Sequence, residues 1–294
     1  MFKSDLKALF VWSVGLLFLL GFTANAYSED TKKYAGAEAC KECHDKEFKE
    51  YKSSIHYKTF LDNKAPDAKK GCEACHGSGV EHIAAGGDKA KIVNPKKLAP
   101  EDVSKICLSC HTQKNLVQWK SSTHASKDLS CASCHDTHGG VTKKMFVKKT
   151  PELCYKCHNK VKMENNLPSH HPIVEGKISC ENCHNPHGGD KGNLKAESVN
   201  ELCAKCHAEK AGPFVFGHPP VEDDCGTCHK PHGSINNKLL KQQTSMLCVR
   251  CHKGPHDATK TAFNTVNNIE RRYTECTRCH VMIHGSDITS RFTR

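Results

Sequence analysis

Leu153-Cys154-Tyr155-Lys156-Cys157-His158 opens a stretch that continues through His170-His171-Pro172 to Cys180-Glu181-Asn182-Cys183-His184-Asn185-Pro186-His187-Gly188-Gly189. Two Cys-x-x-Cys-His motifs flank a linker histidine, and another histidine trails three residues behind the second motif. Internal repetition is the first thing to seek in such a chain. The same plan recurs five times and uses all twenty cysteines.

The ten motifs are Cys40, Cys43 and His44; Cys72, Cys75 and His76; Cys107, Cys110 and His111; Cys131, Cys134 and His135; Cys154, Cys157 and His158. They continue as Cys180, Cys183 and His184; Cys203, Cys206 and His207; Cys225, Cys228 and His229; Cys248, Cys251 and His252; Cys276, Cys279 and His280. Taken two at a time they give units near 40–87, 107–140, 154–189, 203–234 and 248–285. Flanking residues repeat as well. Tyr51-Lys52-Ser53-Ser54-Ile55-His56 parallels Trp119-Lys120-Ser121-Ser122-Thr123-His124, and Asn185-Pro186-His187-Gly188 parallels Lys230-Pro231-His232-Gly233.

Covalent haem c attachment needs two thiols at this spacing for thioethers and an imidazole directly after them for the iron. Cys-x-x-Cys alone also serves as a redox pair or half a zinc ribbon, but neither requires the histidine that follows here all ten times. The pattern predicts ten covalent haems with His44, His76, His111, His135, His158, His184, His207, His229, His252 and His280 as proximal ligands.

Eleven histidines lie outside the motifs. The linker set is His56, His124, His171 (with His170 as the alternative), His218 and His256; the trailing set is His82, His138, His187, His232 and His284. Each recurs at a matching place, so these ten are the expected distal ligands. The shared His-Pro of His171-Pro172 and His218-Pro219 makes His170 the spare. Met145, Met163, Met246 and Met282 do not follow the repeat and are expected to pack. Chain reach adds a constraint. His135 and His138 span at most about 10–11 Å even when extended, too short to grip both faces of one haem. His138, His187 and His232, and by the repeat His82 and His284, are therefore expected to reach a neighbouring haem. With two imidazoles on each iron no position stays open for substrate, and the potential lies below that of His/Met ligation.

The remaining features agree with that chemistry. Lys3 and Lys7 precede an apolar run from Ala8 to Phe22 and an Ala24-Asn25-Ala26 cleavage site, so residues 1–26 read as a secretory signal peptide. The run is short of the roughly 20 residues of a membrane span. The expected mature chain is one domain over 27–294, exported to the periplasm. Hydrophobic residues make up 37% and aromatics 6%, thin material for a core; porphyrins would supply the missing apolar mass. Lys3, Lys7 and Asp5 would leave with the signal, lowering the formal charge from +11 to +10. Propionates and stored electrons offset that charge, and export argues against a nucleic-acid partner. Pro100-Glu101-Asp102 and Thr150-Pro151-Glu152 read as helix starts, and Ser198-Val199-Asn200-Glu201 as a capping box. First motifs are thus expected on short helices, trailing His-Gly segments in turns, and residues 86–100 in a linker. The fold class is a multihaem cytochrome c: mostly irregular with short α-helices, little or no β, an elongated array of five two-haem units.

Ten such motifs in a chain this short, Cys72 to His76 followed by Gly77-Ser78-Gly79-Val80-Glu81-His82, and the repeated Cys-x-x-Cys-His-x-x-His-Gly together resemble the MtrA/DmsE family of periplasmic decahaem cytochromes, with its PioA-like and MtoA-like members. That resemblance covers the mature chain. It implies bis-histidine irons and a haem wire inside an outer-membrane β-barrel of the MtrB type. It also implies a periplasmic or inner-membrane cytochrome as donor and an extracellular multihaem cytochrome or terminal reductase as partner. A wire suits a hydrocarbon slab about 30 Å thick. A soluble periplasmic shuttle or capacitor is the alternative, and a multihaem nitrogen- or sulfur-compound reductase a third. The nitrite reductases of this class often carry Lys in place of a motif histidine, and no Cys-x-x-Cys-Lys occurs here. The chain is expected to carry electrons and not to be an enzyme.

Overall fold

The computed structural model describes residues 34–60, 66–113, 116–189, 191–252 and 275–293. The expected signal peptide and the linker histidine His256 lie outside them. The five first-motif cysteines that begin each unit ride on short helices: Cys40 on α1 (Ala37–Lys41), Cys107 on α2 (Pro100–Leu108), Cys154 on α3 (Glu152–Tyr155), Cys203 on α5 (Val199–Ala204) and Cys248 on α6 (Thr244–Val249). The helix α4 (Asn159–Glu164) follows α3. In α2 the sequence sets the start: Pro100 stands in the first turn, where its missing N–H costs nothing, and Glu101 and Asp102 complement the dipole.

The expected capping box at Ser198 forms only in half. The Ser198 hydroxyl accepts the Glu201 N–H at 3.1 Å, but the Glu201 carboxylate accepts from Glu197, one residue before the cap. Three of the second motifs are tighter turns, Cys131–Ser133, Cys225–Thr227 and Cys276–Arg278, while Glu73–His76 and Cys180–Cys183 are single α-helical turns. In all ten motifs the histidine N–H returns to the carbonyl of the first cysteine at 2.9–3.1 Å. One helical turn therefore gathers both thiols and the imidazole, which is the local reason for the spacing.

After a second motif the chain loops out and comes back beside it. His135 bridges to Phe146, His184 to Leu194 and His229 to Leu240. The one named sheet pairs β1 (Phe216–Gly217) with β2 (Gly285–Ser286), antiparallel. The architecture is helix and coil with a two-stranded sheet.

Two compact units are present. One takes in the described residues up to Lys49 together with Tyr57–Pro95; the other takes in Glu50–His56 and the residues from Lys96 onward. Within the first, the buried Glu73 carboxylate accepts three backbone N–H bonds, from Ala35, Gly36 and Gly79 at 2.8–2.9 Å. That clamp ties the start of the described chain to the Gly79 turn. In the second, Val103, Trp119, Tyr155 and Ile173 are buried, and Asn165 is fully enclosed and donates to the Tyr155 hydroxyl at 2.7 Å. Fourteen large apolar side chains stand exposed among the described residues, Ile235, Val215 and Ile288 the most. Met163 and Met246 are among them, so these two do not pack against protein as the sequence led us to expect. Among the described residues no helix is long and apolar enough to cross a membrane.

Candidate metal centres

Local turns fix the motif histidines; the folding of the loops decides what faces them. Eight times among the described residues, a motif histidine lies opposite a linker or trailing histidine with ring centroids 5.9–6.4 Å apart. His56 faces His111, His124 faces His158, His171 faces His207 and His218 faces His252. His187 faces His135, His232 faces His184 and His284 faces His229. A linker histidine thus meets the first motif of the next unit, and a trailing histidine meets the second motif of the preceding unit. His82, with no earlier unit to reach, faces His44 of its own unit.

The spacing is that of two imidazoles sharing one metal. Bonds of ~2.0–2.1 Å, plus ~1.1 Å from each nitrogen to its ring centre, place the centroids about 6.3 Å apart. Sharing also requires each ring to offer Nε2 and to use Nδ1 elsewhere. Among the described residues, nine motif, linker and trailing histidines, seven of them in the facing pairs, donate Nδ1–H to a backbone carbonyl. His76, His135, His184, His229 and His280 donate to Val93, Lys144, Gly192, Lys238 and Arg291 at 2.6–3.0 Å. His82, His124, His171 and His218 donate to Asp88, Pro186, Pro231 and Ile283 at 2.7–2.9 Å. Burial first, and then neighbouring charges that include the facing imidazole, push the His56, His187, His232 and His284 rings below their ordinary value. They stay neutral, as an axial ligand must be. The donor set fits haem iron.

The carbonyls are aimed at some cost. Met145, Asn193, Leu239 and Phe292, each the residue just after an accepting carbonyl, are left-handed at φ 53–58°. Such positions cost about 1–3 kcal/mol each and persist where surrounding structure overrides the backbone preference.

The thiols form a second, complementary chain. Within each unit the first cysteines of the two motifs come close enough to interact: Cys40 with Cys72, Cys107 with Cys131, Cys154 with Cys180, Cys203 with Cys225 and Cys248 with Cys276. This contact holds the Cys131 thiol down at about 6 and Cys180 at about 7, while burial and the partner thiol lift Cys203 and Cys248 to about 11. Across units the second cysteines come close enough to interact: Cys134 with Cys157, Cys183 with Cys206 and Cys228 with Cys251. Attachment points therefore follow one another in sequence order.

His170 is committed elsewhere. Its Nδ1 bonds the Leu167 carbonyl at 2.5 Å and its Nε2 meets Glu175 at 2.9 Å, so neither nitrogen faces a motif ring. His138 sits in its turn with its backbone N–H on Asp136. What the sequence did not disclose is the second layer. The accepting carbonyls come from residues of no distinctive type, and Glu164, 3.5 Å from the His232 Nδ1, lies 68 positions from its partner; only the lengths of the loops that return after each second motif hinted at the carbonyls.

The family described as "Doubled CXXCH motif" matches at residues 124–163, 170–212 and 218–257. Each match starts at or one residue before a linker histidine and takes the second motif of one unit with the first of the next, so its frame is offset by one motif from the units above. The multihaem cytochrome MtrA of Shewanella baltica (strain OS185) is 36% identical over 153 residues, half of this chain and 45% of that protein. The cytochrome c-type protein NrfB of Haemophilus influenzae is 31% identical over 121 residues, 35% of this chain and 53% of its own length. The matches thus span about half the length of each relative. With turn-held thiol pairs, facing imidazoles and these similarities, the chain has the fold class of a multihaem cytochrome c with repeated Cys-x-x-Cys-His units, whose paired motifs indicate covalent haem c.

Proposed function

We propose that the chain carries ten haems, each between two histidines, and conducts electrons across the outer membrane as a periplasmic decahaem cytochrome of the MtrA/DmsE type. The observation that carries this reading is the set of eight facing histidine pairs linked through thiol contacts that run in sequence order. When bound, haem c supplies reversible one-electron chemistry at a potential set by its axial ligands and surroundings.

Every other task falls to the chain's own residues. The twenty cysteines fix the groups covalently. Ten proximal histidines, from His44 to His280, and ten distal ones hold the irons: His56, His82, His124, His138, His171, His187, His218, His232, His256 and His284. Backbone carbonyls behind the rings fix tautomer and orientation. Exposed apolar side chains such as Ile235 and Val215 are placed to cover porphyrin that the thin protein core does not. Because linker histidines such as His124 and trailing histidines such as His187 reach into an adjoining unit, ligation there would stitch neighbours together and fix their spacing. Two histidines per iron leave no open coordination position, which favours a carrier over a reductase. The partners on this reading are a β-barrel that houses the chain, a periplasmic or inner-membrane donor, and an extracellular cytochrome or terminal reductase; residues 1–26 would direct export.

Detergent extraction of membranes, followed by the haem-staining band, tests this assignment. A β-barrel protein should stay with the band in stoichiometric amount. Recovery of all the haem in the soluble periplasmic fraction would instead make the chain a free shuttle and overturn the barrel assignment.

A further inference from the structure

His232 and His187 have surroundings behind the ring other than a backbone carbonyl. The His232 Nδ1 lies 3.5 Å from Oε2 of Glu164, a carboxylate only 14% exposed at the end of α4. The His187 Nδ1 is shut off from solvent and has no hydrogen-bond partner among the described residues; its ring abuts the buried Trp119 edge-on at 6.3 Å. The two sit in matching turns, Asn185-Pro186-His187-Gly188 and Lys230-Pro231-His232-Gly233. They also face matching positions. A side chain on Gly188 would strike Gln118, and one on Gly233 would strike the backbone of Glu164. Gln118 and Glu164 thus occupy the same place in successive repeats, one neutral and one charged. Glu164 is steadied by Lys230, whose Nζ is 3.4 Å from Oε1 and which comes from the same turn as His232.

An acceptor behind an axial imidazole makes the ring a stronger donor to the metal. A carboxylate does so more than a carbonyl, and its charge also favours the ferric state. We propose that Glu164 is a positioning residue that acts through His232 and lowers the potential of the haem clasped by His184 and His232 below that of the haem clasped by His135 and His187. The adjoining repeats thereby differ in potential although their ligands are identical. This rests on the reading of those histidines as haem ligands.

The test is a spectroelectrochemical titration of the holoprotein. Glu164→Gln removes the charge behind His232 while keeping the length and shape of the side chain. One component should rise, shifting its reduced-to-oxidised ratio at a fixed potential about tenfold, which is 59 mV for a one-electron couple; the others should stay. Lys230→Met removes the compensating cation and should move the same component the opposite way, which keeps the test open if Glu164→Gln loads haem poorly. All haems low-spin with no component moved in either variant, or Lys230→Met raising it, overturns the role of Glu164 and leaves ligation intact. A His232→Ala control without a new high-spin iron overturns the ligation reading and this inference with it.

Discussion

His187 and His232 each stand three residues behind a motif histidine and face a different one, His135 and His184. Replacing either by Ala should leave every thioether in place, because the thiols are untouched, and should free one iron on one side. The expected outcome is an unchanged haem count by intact mass with one high-spin ferric signal per variant. His170 and His171 make a sharper contrast because they are adjacent. His171→Ala should produce the same signal, from the iron held by His207. His170→Ala should not, since both of its nitrogens are spent on Leu167 and Glu175. In the sequence, the His-Pro repeat is what singles out His171 over His170. Nothing there pointed to Glu164, because the loops that join it to His232 carry no signature of their own.

At the scale of elements, the His-Gly turns explain a repeat that spacing alone leaves unexplained. A Cβ on Gly188, itself at φ +130°, would come within 2.9 Å of the Gln118 side chain and carbonyl, and one on Gly233 would collide with the Glu164 carbonyl. The glycine lets a trailing histidine lie flat against the unit before it. Gly188→Ala or Gly233→Ala should cost about 1–3 kcal/mol by overpacking, read as a lower melting temperature, and should loosen the iron ligated by the histidine of the same turn, His187 or His232, read as a mixed-spin spectrum. Ring orientation gives an independent prediction. The His56–His111 and His124–His158 planes cross at 79° and 84°, whereas His229–His284 and His135–His187 cross at 14° and 23°. Crossed planes leave the iron dπ orbitals nearly equal in energy, so low-temperature EPR of the oxidised protein should contain two strongly anisotropic low-spin signals beside more rhombic ones. A uniformly rhombic spectrum would contradict these angles.

For the molecule as a whole, the covalent motif was the legible part. A thiol pair and an imidazole on one turn are a local demand, written in five consecutive residues such as Cys180 to His184. Short helices leading into Cys107 and Cys203 were legible for the same reason, through Pro100 and Ser198. The rule by which linker and trailing histidines choose partners was not, because it depends on how loops such as 136–147 fold back and on left-handed residues such as Met145 and Leu239 that propensity disfavours. Met163 and Met246 were expected to pack because they do not follow the repeat, yet both stand exposed; falling outside the ligand pattern says nothing about burial.

The measurement that bears most directly on ten irons, each between two histidines, is near-infrared magnetic circular dichroism of the fully oxidised protein, scaled per chain. Low-spin bis-histidine intensity for ten haems with no high-spin contribution is the predicted result. Intensity for fewer than nine, or a stoichiometric high-spin band, would contradict the account and return an open, reactive iron to consideration.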